Sequence, residues 1–130
     1  MRKIKAQPLP IPTEDQEQMA VVQHLQAKGL LFTHPANGSH KSPAARVRFK
    51  KLGQSAGCPD ILIFNTFYDK NGFNPLKGMA IEMKRQKGGV VSPEQQKWHH
   101  NLIMAGWHVQ VCKGAGEAIA LIDSVQWIKV

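Results

Sequence analysis

The chain has 130 residues, 42% of them hydrophobic, which is the size of one ordinary domain with enough apolar residues for a core. Its two cysteines, Cys58 and Cys112, give neither a disulfide framework nor a zinc-binding spacing, and they favour a reducing, cytosolic setting. Lysine and arginine total 17 against nine acids, and the resulting net charge of +8 suits a polyanion such as nucleic acid.

The N-terminal residues 1–12 are basic and rich in proline, without an apolar signal core, so we expect a flexible arm rather than a targeting peptide. Residues 13–130 are expected to form a single domain. No apolar run is long enough to span a bilayer, so no membrane partner is expected. Thr13 is a suitable N-cap for a first helix with acids in its first turn, and Gly29 ends that helix.

A short strand over residues 30–33 is predicted next, followed by a loop over 34–43. Residues 44–52 alternate basic and apolar side chains and predict a short basic helix, although the alternation is also compatible with a strand. Residues 60–64 predict a buried strand, 65–78 a hairpin-like excursion and 79–84 the next central strand.

After a glycine-bearing loop over residues 86–91, Ser92 caps a third helix, with Gln95 at the capping-box position. This helix is predicted to end at Gly106. A strand over 107–112, a short helix over 116–122 and a terminal strand or tail over 125–128 complete the order. The alternation of helices and strands predicts an α/β fold with a mixed central sheet flanked by helices.

Two carboxylates and a lysine lie on the two central strands. Asp60 begins the first of them, and strand alternation places Glu82 and Lys84 on the same face of the second. If these strands are neighbours, Asp60 and Glu82 supply the hard oxygen ligands that Mg²⁺ or Mn²⁺ prefers, and the main-chain carbonyl of Met83 is a candidate third ligand. Lys84 is then placed to act on the attacking water or on the phosphate, which indicates hydrolysis of a phosphodiester.

Each of these motifs taken alone is common: Asp60 would be a turn residue after proline, and Glu82 with Lys84 a surface pair. Basic residues on both sides of the motifs favour the metal-site interpretation. The best candidates for phosphate contacts, with a solvated basic face as the alternative for part of them, are Arg46, Arg48, Lys50, Lys51, Arg85 and Lys87.

Other polar residues carry weaker signals. His34, Asn37 and His40 fall in a loop that is a candidate to lie beside the substrate, although loop histidines are usually plain surface residues. The run from His99 to Asn101 superficially resembles part of an HNH nuclease, but consecutive residues of a helix point apart and the rest of that motif is absent. We therefore assign it no catalytic role.

Taken in order, the motifs resemble the VRR-NUC family of the PD-(D/E)XK nuclease superfamily, a small nuclease domain found alone in phages and at the C-terminus of Fanconi-associated nuclease. The resemblance runs from Glu17 to about Glu117. Its matching features are Glu17, Asn37-Gly38, Gly57-Cys58-Pro59-Asp60, Glu82-Met83-Lys84, Ser92-Pro93-Glu94-Gln95 and Ala105-Gly106-Trp107.

This resemblance implies a restriction-endonuclease-like core and a DNA endonuclease dependent on Mg²⁺ or Mn²⁺ that acts on branched DNA such as junctions or flaps. Asp60 and Glu82 would bind the metal and Lys84 would assist catalysis. From the first helix, Glu17 would complete the acidic site directly or through water, with Glu14 as its rival because their spacing of three places both near one face.

Three further residues complete the implied site and its surroundings. Gln95 would approach the site from its helix, although its own capping box competes for the side chain. Asn37 joins the basic residues as a candidate DNA contact. Cys58 departs from the aliphatic residue that is commoner before Pro-Asp, and we expect it to be buried and without chemistry.

The resemblance also implies a phage or prophage origin, a location in the cytoplasm of the bacterial host, and phage replication or recombination proteins as partners. A small nuclease that cuts two strands of a junction would act as a homodimer, by analogy. The rival hypothesis is a non-catalytic or partner-dependent DNA-binding module on a nuclease-like fold. The intact set of Asp60, Glu82 and Lys84 argues against it.

Overall fold

The computed structural model describes residues 9–35 and 42–129. Within them the predicted order of helices and strands is confirmed, with two short strands in the predicted hairpin-like excursion and one where a terminal strand or tail was predicted. The helices are α1 (Glu14–Lys28), α2 (Pro43–Lys51), α3 (Pro93–Met104) and α4 (Ala115–Asp123). The strands are β1 (Phe32–Thr33), β2 (Ile61–Ile63), β3 (Phe67–Tyr68), β4 (Pro75–Leu76), β5 (Met79–Lys84), β6 (His108–Lys113) and β7 (Gln126–Trp127).

The helix ends follow from local capping chemistry. The side chains of Thr13 and Ser92 each accept a hydrogen bond from the main-chain N–H three residues later. The side-chain oxygens of Gln16 and Gln95 in turn accept from the main-chain N–H of Thr13 and Ser92, which completes two capping boxes. Gly29 ends α1 with a φ of 70°, a left-handed conformation that glycine adopts without a steric penalty. The basic segment of residues 44–52 is a helix, α2, and the alternative of a strand is wrong.

The central sheet has the strand order β1-β2-β5-β6 and is mixed, as predicted. β2 is antiparallel to β1 and β5, whereas β5 is parallel to β6. The excursion over residues 65–78 does form a hairpin, because β3 and β4 pair with each other, and β7 joins them in a second sheet of order β4-β3-β7.

The two faces of β5 meet different partners. Met79, Ile81 and Met83 belong to one buried core together with side chains of α1 and α4, such as Leu25 and Ile122. Strand alternation directs Ala80, Glu82 and Lys84 to the other face, where α3 lies. The sheet thus separates an apolar layer from a face that carries polar groups.

Two sequence predictions concern the ends of the chain and the membrane. Within the part of the chain that the structure describes, no helix is both long and apolar enough to cross a bilayer. Residues 9–12 form neither helix nor strand, and residues 1–8 lie outside the described residues. The arm over residues 1–12 and the single domain over residues 13–130 stay predictions.

Candidate functional site

Asp60 and Glu82 lie opposite each other at one end of the β2–β5 pair. Ile61 pairs with Ile81, and the same antiparallel register continued by one residue places Asp60 against Glu82. The main-chain N–H of Met83 donates a hydrogen bond of 2.7 Å to Oδ2 of Asp60. The sheet itself therefore fixes the Asp60 carboxylate beside Glu82, and the predicted convergence of the two strands is confirmed.

The Glu82 side chain is only 1% exposed, and its environment disfavours a negative charge. Burial, followed by a hydrogen bond with Asp60 and the charge of Asp60, raises the pKa of Glu82 to about 9, although the positive charge of Lys84 opposes the shift. Two carboxyl groups this close repel each other when both are ionised, so the pair retains one proton at neutral pH. A bound cation would take the place of that proton.

The chemistry of this pair fits a hard divalent cation, because two adjacent carboxyl groups and a nearby main chain offer oxygen ligands. Mg²⁺ usually takes one or two carboxylates and fills its other positions with water and phosphate oxygens. Over residues 9–35 and 42–129, no group of three histidine, cysteine, aspartate or glutamate side chains is arranged to hold a metal ion. Asp60 and Glu82 are therefore the protein ligands that we consider, and a role for the Met83 carbonyl stays a prediction.

Lys84 lies at the end of β5 and acts electrostatically on the same site. Its positive charge lowers the pKa of both Glu82 and His99, which places the ammonium group within range of each. The stem of Lys84 packs against Gly89, since a Cβ atom at that glycine would lie 3.0 Å from Cβ of Lys84. The loop that follows β5, predicted over residues 86–91, thus packs on the side chain of Lys84.

Glu17 is 5% exposed. We expected its carboxylate to complete the acidic site, but a hydrogen bond of the carboxylate leads to the start of α4. One oxygen accepts a 2.9 Å hydrogen bond from the side chain of Gln86, and the other accepts from the main-chain N–H of Ala115 at the start of α4. Gly114 makes room for it, since a Cβ atom there would lie 2.7 Å from Oε2 of Glu17. The carboxylate therefore caps α4.

Glu14 acts on the Asp60–Glu82 pair through its charge, which is one of the contributions that raise the pKa of Glu82. Both carboxylate oxygens of Glu17 are already bound, one to Gln86 and the other to Ala115. The choice between Glu14 and Glu17 as the first-helix acid stays a prediction, and this geometry favours Glu14.

Gln95 lies on the first turn of α3, which packs directly on the segment that leads to Asp60. A Cβ atom at Gly57 would lie 2.6 Å from the main-chain carbon of Glu94 and 2.8 Å from the nitrogen of Gln95. The amide oxygen of Gln95 accepts a 2.9 Å hydrogen bond from Ser92 N–H, so the capping box that competes for this side chain is present. A catalytic role for Gln95 stays a prediction.

Cys58 is buried beside the same site, as predicted. Burial raises the pKa of its thiol, and the negative charges of Glu82 and Asp60 raise it further. A thiol with a raised pKa is a poor nucleophile at neutral pH, which agrees with our assigning it no chemistry.

His99 is a neighbour of the site that the sequence did not identify. Its Nε2 lies 3.3 Å from Oε1 of Glu82, and burial followed by the charge of Lys84 lowers its pKa. His99 follows Gln95 by four residues, so both lie on the same face of α3. The spacing of four between Gln95 and His99 was the signal in the sequence that could have identified His99. To use it, one would have to know that this face of α3 lies against β5.

The predicted phosphate contacts are all exposed: Arg46, Arg48, Lys50, Lys51, Arg85 and Lys87. Among the described residues, carboxyl groups lie close to basic side chains in three places, where Asp123 contacts His24 and Lys28 and where Glu82 contacts His99. In that part of the chain the six cations are therefore not neutralised by a carboxylate, and their charge is available to a polyanion.

The loop candidates are only partly covered by the structure. His34 Nδ1 lies 2.5 Å from the main-chain oxygen of Asp60, which places this histidine directly beside the site. The predicted DNA contact Asn37 and the loop residue His40 lie outside the described residues.

Comparison with known proteins identifies the family. The model of the VRR-NUC domain matches residues 12–116. A solved structure titled "VRR_NUC domain protein" is 28% identical with a TM-score of 0.64, and the match covers 88% of each chain. Another, titled "VRR_NUC domain", is 18% identical with a TM-score of 0.55 and shares the fold over 85% of this chain and 94% of its own.

No curated protein matches the chain. VRR-NUC domains are in general nuclease domains, and the PD-(D/E)XK superfamily and a restriction-endonuclease-like core are consistent with the fold described above. Because the family model spans most of the residues and a solved relative shares the same architecture, this chain belongs to the VRR-NUC domain family.

Proposed function

We propose that this protein is a metal-dependent DNA endonuclease that hydrolyses phosphodiester bonds. The observation that carries the proposal is the pair formed by Asp60 and the buried Glu82, which face each other across β2 and β5 with Lys84 on the same face. The nuclease character of the family supports it at a coarser level.

In this proposal, Asp60 and Glu82 hold Mg²⁺ or Mn²⁺, and a first-helix acid adds negative charge from α1. When bound, such an ion lowers the pKa of a coordinated water and offsets charge on the phosphate. The ammonium group of Lys84 stabilises charge that develops on the phosphate oxygens or orients the attacking water. His99 restrains the orientation of the Glu82 carboxylate through their contact.

DNA as the substrate is supported by the charge of +8 and by exposed cations on two sides of the site. Arg46 and Lys50 lie on α2, whereas Arg85 and Lys87 directly follow β5. Contacts of this kind position the backbone without reading its sequence, so selectivity would rest on the shape of the DNA. We therefore propose branched DNA, such as junctions or flaps, as the preferred substrate.

The remaining expectations follow from the family resemblance and stay predictions. They are a homodimer, a cytoplasmic location in a bacterial host, a phage or prophage origin, and partners among phage replication or recombination proteins.

The test is cleavage of a panel of duplex, flap, splayed and four-way DNA with Mg²⁺ or Mn²⁺. The wild type is compared with Asp60→Asn, Glu82→Gln and Asp15→Asn, the last being an exposed acid of α1 as a charge-matched control. We expect cleavage by the wild type and by the control only. Equal cleavage by all four proteins would remove Asp60 and Glu82 from the mechanism, and binding without cleavage by any of them would favour the DNA-binding module.

A further inference from the structure

A large cavity lies between α2, the turn that follows it, and the first half of α3. Its volume is about 1070 Å³, slightly above the range of about 300–1,000 Å³ for pockets that bind small molecules. The lining residues that matter here are Arg46, Phe49, Lys50, Gln54, Lys97 and Trp98. None of the catalytic roles proposed above requires a cavity on this side of α3.

The lining combines aromatic surface with positive charge. Phe49 and Trp98 supply aromatic rings, and Lys50 and Lys97 supply exposed ammonium groups, against one acid, Glu94. Flat aromatic faces beside a cationic rim are the arrangement by which proteins bind single-stranded nucleic acid, with bases stacked on the rings and phosphates on the cations. A purely apolar ligand would not account for the cations.

Gln54 adds a hydrogen-bonding group to the same wall. Its Oε1 is buried and has no hydrogen-bond partner among the described residues. A buried acceptor without a donor is costly, and the cost is removed when a ligand or a water supplies an N–H or O–H.

Part of the cavity wall lies close in the chain to the Asp60–Glu82 pair. Gly57 lines it and packs on the main chain of Gln95, and Asp60 follows Gly57 by three positions in the chain. Three residues span at most about 10–11 Å, so a nucleotide in the cavity would be near a phosphate held at Asp60. On the other wall, α3 carries both Gln95, which lines the cavity, and His99, which contacts Glu82.

We propose that this α2–α3 cavity binds an unpaired nucleotide of the DNA substrate next to the phosphate that is cleaved. The base stacks on Trp98, and the flanking phosphates lie on Arg46, Lys50 and Lys97. A paired base cannot enter, because its faces are already stacked within the duplex. The inference rests on the proposed nuclease function and gives that function a physical basis for preferring DNA with single-stranded extensions.

The test measures binding without cleavage, using the full chain in EDTA. Fluorescence anisotropy compares a labelled blunt hairpin with the same hairpin carrying a short single-stranded extension. The variant Lys50→Ala/Lys97→Ala removes two cations from the cavity rim, and Lys70→Ala/Lys113→Ala removes two exposed cations outside its lining. We expect the extension to tighten binding by about fivefold or more for the wild type and the control.

The cavity variant should lose most of that gain, measured as the ratio of its affinities for the extended and the blunt hairpin, because the loss of Lys50 also lowers its affinity for the blunt hairpin. The conservative substitution Trp98→Phe, which keeps an aromatic ring, should retain the gain, whereas Trp98→Leu should reduce it. An extension that adds nothing for the wild type, or a gain that survives in the cavity variant, would overturn the inference. If the inference is overturned in this way, cleavage of blunt duplex with Mn²⁺ would still support the proposed nuclease function.

Discussion

The carboxyl groups of Asp60 and Glu82 face each other one step beyond the last paired residues of β2 and β5. This arrangement places two like charges in a site where Glu82 is almost fully buried, so the metal-free protein retains a proton there. When both carboxyl groups are ionised, their repulsion lowers the stability of the folded protein, and the same negative charge favours the binding of a cation. We infer that the metal, when bound, relieves an electrostatic cost that the fold carries without it.

The stability of the metal-free protein should fall as the pH rises. The pKa of Glu82 is about 9 in the folded protein against an ordinary 4.5, so between these values the folded state holds a proton that the unfolded chain has released. Stability then decreases with pH across that window. Burial is the largest cause of the raised pKa; Asp60 and Glu14 add to it, Lys84 opposes it, and His99 is in contact with Glu82. Urea unfolding in EDTA from pH 5 to 9 checks this, and Glu82→Gln should flatten the slope.

A slope that is the same in the wild type and in Glu82→Gln would show that other groups cause the pH dependence.

Glu14→Gln and Glu17→Gln should separate the two first-helix acids. Glu17 holds Ala115 N–H and Gln86, so its substitution should cost about 1–3 kcal/mol of unfolding free energy with a small effect on the metal. Glu14→Gln should change stability by less than about 1 kcal/mol, since an exposed acid in the first turn contributes little, but should weaken Mn²⁺ binding. Urea unfolding and calorimetric titration with Mn²⁺ measure both effects.

The opposite pattern, weaker Mn²⁺ binding by Glu17→Gln at unchanged stability, would restore Glu17 as the acid of the metal site.

His99 should act as a positioning residue for Glu82. Groups that hold a metal ligand in place are typically worth about 10- to 100-fold in metal affinity, and the long contact of 3.3 Å suggests the lower end. We expect His99→Leu to weaken Mn²⁺ binding about tenfold and His99→Gln, which keeps a hydrogen-bond donor, to restore part of it. His100→Leu is the matched control, because this neighbour is exposed.

Equal Mn²⁺ affinities for His99→Leu and His100→Leu would show that the contact with Glu82 has no functional consequence.

Gly57→Ala should damage both the fold and the site. Gly57 has a φ of +88°, and an added Cβ atom would lie 2.6 Å from the main chain of Glu94, which cannot move away as a side chain does. Gly53 has a φ of +102° with nothing within 4 Å of the added atom, so Gly53→Ala isolates the cost of the conformation, about 1–2 kcal/mol. Gly57→Ala should cost more and should also reduce cleavage, because α3 must shift away from Asp60.

If thermal unfolding and cleavage respond equally to Gly53→Ala and Gly57→Ala, the close packing of α3 on this turn is not important for the site.

The parts of the fold that depend on local chemistry followed from the sequence. The N-cap at Thr13, the capping box of Ser92 and Gln95 and the bounds of β5 are as predicted, whereas the capping box that Gln16 completes at Thr13 was not predicted. The burial of Glu17 toward α4 could not be predicted from the sequence. The buried face of α1 consists of Glu17, Val21 and Leu25, and a charged residue does not contribute to the apolar pattern that identifies such a face. The His99–Glu82 contact likewise depends on how α3 packs on the sheet, which no local pattern encodes.

The most direct measurement is calorimetric titration of the DNA-free protein with Mn²⁺ at neutral pH in buffers of different ionisation enthalpy. The wild type should bind Mn²⁺ with release of a proton, because Glu82 is protonated in the metal-free state. Asp60→Asn and Glu82→Gln should each bind at least about tenfold more weakly, and Asp15→Asn should bind as the wild type does. Wild-type affinity in both site variants, with no proton released by any protein, would contradict a metal site at Asp60 and Glu82.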